Sequence, residues 1–265
     1  MDRKTLLFSL RVSRIGMKVR YAMWFEKKRS HCTGEKNHTL LFFPYSGGSS
    51  DVFDELLSHI QEDIDCYVFQ LPGMGKRLLE PLRNDVENIV SEAVSEICDI
   101  VKQNSFSLYG HSTGGLFAFL FAQSLLSMGL RSNKVFIAAE AAPHIPEFLE
   151  DPASYNDEEI YRQLKGYGKL DDECLQDDDF KAFYYPIMRN EFSINYRLKH
   201  MIPREKSEHE LVLVHGKQDN HVSYENLQAW QEYTHVLVDS HQVDGGHFFE
   251  GDINKLVAKI VSSSL

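Results

Sequence analysis

Gly110-His111-Ser112-Thr113-Gly114 lies between a short apolar run, Phe106 to Tyr109, and a long one, Leu116 to Leu126. Apolar runs of those lengths, joined by so few residues, predict a strand, a tight turn and a buried helix. A serine at such a turn is forced into a strained backbone conformation that lifts its hydroxyl above the sheet. Glycines two residues to either side leave room for strand and helix to pass close together. The bare G-x-S-x-G pattern arises by chance in roughly one chain of this length in ten to twenty. Whether Ser112 is a nucleophile is therefore decided by what lies downstream.

A serine nucleophile needs a base, and the base needs a carboxylate to orient it. Leu211 to Val214 reads as a buried strand and runs into His215-Gly216-Lys217-Gln218-Asp219. Val236-Leu237-Val238 reads as another and leads through a turn into Asp244-Gly245-Gly246-His247-Phe248-Phe249. An Asp and a His thus each follow a strand, in the chain order Ser, Asp, His found in α/β-hydrolases. Both would sit at the C-terminal edge of a parallel sheet, where open α/β folds place their sites. The expected roles are Ser112 nucleophile, His247 general base and Asp219 orienting acid. His111 is held in the elbow, and its side chain is expected to point elsewhere. His215, His221, His235 and His241 read as surface or strand-end residues. Asp239 is the rival to Asp219. Asp219 is preferred because its Gly-x-x-Asp turn gives it a way to project inward. Asp244 reads as a turn former.

The rest of the chain supplies the frame. Thr39 to Phe43 and Cys66 to Leu71 read as strands closed by prolines, and Val135 to Ala139 as a third. Val52 to Ile60 and Val86 to Val101 carry apolar residues at helical spacing. Strands alternating with helices imply an α/β fold with a mostly parallel, doubly wound sheet. From Pro143 to about Pro203 the strands vanish. Asn156 with Glu159 forms a capping box, and Phe180, Phe183, Tyr184, Ile187 and Met188 recur at helical spacing, with Pro186 expected to kink the helix. Residues of about 146–203 are therefore expected to form a helical lid inserted between two strands. Its twelve acids against three bases over residues 147 to 179 read first as a solvated outer face.

Composition narrows the function. The formal net charge is −11, and no basic stripe interleaved with aromatics speaks for nucleic acid as a partner. Cys32, Cys66, Cys98 and Cys174 are scattered without a C-x-x-C, which argues against a disulfide framework and fits the cytosol. No metal-ligand spacing and no apolar run of membrane-spanning length occur. Residues 1–31 hold nine Lys or Arg against two acids. They are expected to form a basic extension, disordered or loosely packed, outside a domain of residues 32–265. A run of Leu6 to Leu10 broken by Arg11 is too short for a secretory leader.

With these pieces in place the chain resembles the type II thioesterases that stand alone beside modular polyketide and nonribosomal peptide synthases. Phe42-Phe43-Pro44-Tyr45-Ser46-Gly47-Gly48-Ser49 resembles that family's F-P-x-x-G-G-S, and Leu71 to Arg77 its L-P-G-R-G-x-R with Met74 for Arg. Ser112 occupies the nucleophile of G-H-S-M-G-A, with Thr113 and Gly115 substituted. Ala142-Pro143 matches a following A-P, and Pro186 to Phe192 resembles P-x-x-R-A-D-F with Glu191 for Asp. Asp219 and Gly246-His247-Phe248-Phe249 match the remaining positions. Thr113 and Gly115 are expected to line or adjoin the pocket, and Met74 to alter a surface or loop contact.

The resemblance implies hydrolysis of acyl or aminoacyl thioesters from the phosphopantetheine arm of carrier proteins, an editing reaction that needs no cofactor. It implies an oxyanion hole of backbone N–H groups, one from Thr113 and one from Tyr45 or Ser46. A carrier protein is the expected partner, and a monomer the expected state. An acyl-CoA or small-ester hydrolase, or an acyltransferase, would carry the same triad. A non-catalytic binding protein on this scaffold would be expected to lack a member of it.

Overall fold

The computed structural model describes residues 23–29, 38–61, 63–102 and 104–265. Alternation along the strands sets the layers. In the strand His38–Phe43, Leu41 and Phe43 join the core on one face of the sheet, while Leu40 and Phe42 join the core on the other. All four side chains are fully buried. Each such side chain contributes roughly 1.5–3 kcal/mol.

Among the described residues, seven strands make one sheet: β1 Phe25–Arg29, β2 His38–Phe43, β3 Ile64–Phe69, β4 Ser105–His111, β5 Val135–Ala138, β6 Leu211–Gly216 and β7 Asp239–Val243. Their spatial order is β1-β3-β2-β4-β5-β6-β7. Among the described residues, the β1–β3 pairing is antiparallel and the other five are parallel. The chain leaves β2 toward one edge for β3 and returns past β2 to β4. That reversal opens a crevice beyond the C-terminal ends of β2 and β4, where ligands bind in open α/β sheets.

After β2 come a 3₁₀ turn and the short helix α1 Asp54–Ser58. The helices α2 Val86–Val101 and α3 Thr113–Ser127 pack on one sheet face, and α1 and α8 Asp252–Ser264 on the other. Between β5 and β6 the chain forms α4 Asp157–Tyr167, α5 Asp172–Gln176 and α6 Asp178–Met201. The short α7 Tyr224–Gln228 follows β6. The capping box at α4 is made as the sequence implies, with Asn156 and Glu159 exchanging hydrogen bonds. The insertion has a core of its own, centred on Phe148, Ile160, Leu164, Leu175, Tyr185, Met188 and Phe192. Helix α6 runs on through Pro186, so that proline does not end it.

Two expectations need correction. The basic stretch 1–31 is not all extension, because Phe25–Arg29 is the edge strand of the sheet and Trp24 and Phe25 are buried. Its run of charges, Glu26 to Arg29 with Lys27 exposed, masks the strand pattern, as charges on edge strands do. Residues 1–22 lie outside the described residues. The last strand also falls later than expected. It begins at Asp239, and Val236 to Val238 precede it.

Candidate active site

Ser112 joins the end of β4 to the start of α3 with φ 52° and ψ −129°. Such a backbone is strained for a residue other than glycine and is held by its surroundings. The Ser112 N–H donates to the Ala138 carbonyl at 2.8 Å. The flanking glycines are sterically required. A Cβ on Gly110 would lie 2.0 Å from the Gly114 carbonyl oxygen, and one on Gly114 would lie 1.9 Å from that of Phe43.

The three residues expected to act together meet in one hydrogen-bonded chain. His247 Nε2 is 3.1 Å from Ser112 Oγ, and His247 Nδ1 is 3.0 Å from Asp219 Oδ2. These separations lie within the reach expected of a nucleophile and its base. The Asp219 side chain is fully buried. Its other oxygen accepts the backbone N–H of His221 and Val222 at 2.8 and 3.0 Å. Burial raises its pKa, but the hydrogen bond and charge of His247 and the two N–H donors outweigh it, so the carboxyl stays below its ordinary value. Asp239 lies instead at the N-terminal end of β7 and pairs with His241 at 3.0 Å. Asp244 pairs with Lys217 in the turn.

The two loops that bring Asp219 and His247 together pass very close. A Cβ on Gly216 would lie 2.3 Å from the Gly246 carbonyl oxygen. His215, read from sequence as a strand-end residue, is buried and hydrogen-bonds the Val222 carbonyl at 2.8 Å, closing the loop that carries Asp219. His221 leaves the same loop for the insertion. Its Nε2 meets the Gly166 carbonyl at 3.0 Å, and its ring stacks on Tyr167 with centroids 4.3 Å apart. Neither role has a local sequence signature, since each partner lies on a different turn or element.

The two segments that carry the expected oxyanion donors lie side by side. Thr113 is the first residue of α3, so its N–H belongs to the helix-end donors without an intrahelical acceptor. Tyr45 and Ser46 follow β2, and Ser46 Oγ lies 2.9 Å from Thr113 Oγ1. Ser112, His247, Tyr45 and Ser46 open on a cavity of about 430 Å³. Its walls are mainly apolar, with Val52, Met74, Leu164, Leu170, Met188 and Phe192 among them. Lys169 stands at its edge, donating to Tyr45 Oη at 2.6 Å and lying over the rings of Tyr45 and Phe248.

The three substituted positions differ in where they sit. Met74 lies in the loop after β3, buried and lining the cavity, so of the expected surface or loop contact it makes the loop one. Gly115 faces Ile137 and Glu140, away from the cavity. Thr113 borders a smaller cleft with Tyr45, Ser46 and Glu191. Among the described residues, no cluster of three or more His, Cys, Asp or Glu could hold a metal, and no helix is long and apolar enough to cross a membrane.

Residues 38–264 match the family model of the thioesterase domain. The gramicidin S biosynthesis protein GrsT of Aneurinibacillus migulanus is 30% identical over 216 residues, covering 79% of this chain and 82% of that protein. Among solved structures, YbtT, a type II thioesterase from the yersiniabactin NRPS/PKS biosynthetic pathway, superposes with a TM-score of 0.80 at 19% identity, over 91% of this chain and 97% of that one. RedJ, a thioesterase from the prodiginine biosynthetic pathway in Streptomyces coelicolor, gives 0.76 at 21% identity, over 90% and 97%. With the matched model spanning β2 to β7, the elbow and the loops of Asp219 and His247, the chain belongs to the thioesterase family and is a thioester hydrolase on an α/β-hydrolase fold.

Proposed function

We propose that this protein is a type II thioesterase that removes acyl or aminoacyl groups from the phosphopantetheine arms of carrier proteins, through an acyl-enzyme on Ser112. The observation that carries the reading is the chain Ser112–His247–Asp219, opening on an apolar cavity beneath the helical insertion. Support for the carrier-bound substrate comes from relatives named for peptide and polyketide assembly.

His247 Nε2 takes the proton of Ser112 as Oγ attacks the thioester carbonyl. Asp219 holds the ring in the tautomer that leaves Nε2 free to accept, and it stabilises the imidazolium. The oxyanion is held by the N–H of Thr113 and that of Tyr45 or Ser46. His247 returns the proton to the departing pantetheine thiol. It then activates water, which releases the acid and frees Ser112. The acyl group lies against the apolar wall, and the arm enters under the insertion, which acts as a lid.

The test is intact-mass measurement of a carrier protein loaded with acetyl, longer acyl or aminoacyl groups, with and without the enzyme. Loss of the acyl mass, absent with Ser112→Ala, is the expected result. An unchanged carrier beside turnover of acyl-CoA or free esters would replace this reading by a small-molecule hydrolase. Transfer of the acyl group to an added amine or alcohol in preference to water would replace it by an acyltransferase.

A further inference from the structure

Helix α6 turns a row of polar side chains inward at i, i+4 and i+8: Glu191, Asn195 and Lys199, all buried. A helix this far inside a thioesterase would be expected to pack with apolar groups alone, because burying polar ones costs free energy unless each is paired. The partners of Glu191 and Asn195 lie on the two segments that carry the proposed oxyanion donors. Glu191 Oε2 accepts the Gly47 N–H at 2.7 Å, one residue beyond Ser46. Asn195 Nδ2 donates to Thr113 Oγ1 at 2.8 Å, one residue beyond Ser112. Thr113 Oγ1 in turn meets Ser46 Oγ at 2.9 Å, which links the two segments directly.

The row is anchored at its far end. Lys199 Nζ lies 2.7 Å from Glu140 Oε1 in a pair that is almost wholly buried. Glu140 Oε2 lies 3.4 Å from Asn195 Nδ2, which turns the amide so that its donor side faces Thr113. The link needs a hydroxyl at position 113. The resembling pattern has methionine there, which could neither accept from Asn195 nor bond Ser46.

We propose that Asn195 and Glu191 are positioning residues for the oxyanion hole. Asn195 acts through the Thr113 hydroxyl on the N-terminus of α3, and Glu191 acts through Gly47 on the loop after β2. The inference rests on the reading of Ser112 as nucleophile. Rotating either donor away weakens stabilisation of the tetrahedral intermediate while substrate binding in the cavity persists.

The experiment is steady-state hydrolysis of an acyl-N-acetylcysteamine thioester by Thr113→Val, Asn195→Leu, Thr113→Ser and Ser112→Ala, each checked by thermal melting. Thr113→Val and Asn195→Leu are expected to lower kcat about ten- to a hundred-fold, with KM changed by less than about threefold. Thr113→Ser, which keeps the hydroxyl, is expected to restore most of the kcat lost in Thr113→Val. If Asn195→Leu does not fold, the Thr113 pair alone carries the test. Wild-type kcat in Thr113→Val with an inactive Ser112→Ala would overturn the positioning role and leave the nucleophile standing. An equal loss in Thr113→Val and Thr113→Ser would also overturn it. Full activity in Ser112→Ala would remove the nucleophile, and this inference with it.

Discussion

His111 Nε2 lies 2.7 Å from the backbone carbonyl oxygen of His247, so the residue before the proposed nucleophile grips the backbone of the proposed base. The His111 ring is buried, and its pKa is pushed down to about 3, by burial first and by the neighbouring His247 next. It is therefore neutral at pH 7, and the bond is a ring N–H donating to the carbonyl. His111→Leu leaves that carbonyl without its partner, at a cost of about 1–3 kcal/mol. Thermal melting is expected to show that loss, and kcat is expected to fall about tenfold as His247 drifts from Ser112. Wild-type kcat in a folded His111→Leu would show that the loop holds His247 unaided.

Ser112→Ala is expected to lower kcat on the order of 10⁵- to 10⁶-fold without disturbing the melt. No acyl-enzyme mass should accumulate during turnover. An acyl adduct that persists in the variant would place the nucleophile elsewhere.

Asp219→Asn should cost on the order of 10³- to 10⁴-fold in kcat, because an amide can hold His247 in the wrong tautomer. Asp239→Asn should change kcat by less than about twofold, since that side chain is exposed and paired with His241 at the opposite end of the sheet. Comparing the two variants on one thioester checks the assignment, and the reverse ranking would reassign the acid.

Glu191 gives a pH dependence of stability. Burial pushes its pKa from 4.5 up to about 7, against the pull of the Gly47 N–H. Between those values the folded state keeps a proton that the unfolded chain has released. Stability from this group is therefore full below pH 4.5 and is lost as pH rises toward 7, by roughly 3 kcal/mol. His111 works in the opposite sense from 6.5 down to about 3, where the unfolded chain gains a proton that the folded state refuses. Glu191→Gln is expected to melt above wild type at pH 8 and to lose that advantage near pH 4.5. Urea unfolding at the two pH values measures it, and an advantage of equal size at both would refute the titration of Glu191.

Deleting residues 1–22 should leave hydrolysis of a small thioester intact. Deleting residues 1–29 should not, because it removes β1 with the buried Trp24 and Phe25. Losing a single buried aromatic costs roughly 3–5 kcal/mol. Trp24 is also packed under the Arg77 guanidinium, 4.1 Å from its ring centroid. Melting curves of the two truncations decide the point, and equal stability would make β1 dispensable.

The segments legible in sequence are those whose signal is local. The elbow, α2, the capping box of α4 and the strands of the parallel core each show within a few residues, because side-chain period and backbone chemistry act over one or two turns. The chain order of Ser112, Asp219 and His247 was readable for the same reason: Ser112 and Asp219 each follow an apolar run that is a strand, and His247 follows a run, Val236 to Val238, that lies just before one. What only the tertiary structure decided depends on partners far along the chain. Strand β1 is short, charged and bulged, and it pairs with β3 some forty residues later. Asp239 falls at the wrong end of the sheet because β7 starts there, a register set by its pairing with β6. Glu191 and Asn195 look like any polar residues of an amphipathic helix. They reach Gly47 and Thr113 only because α6 packs across the ends of β2 and β4, and sequence periodicity carries no information about which helix lands where.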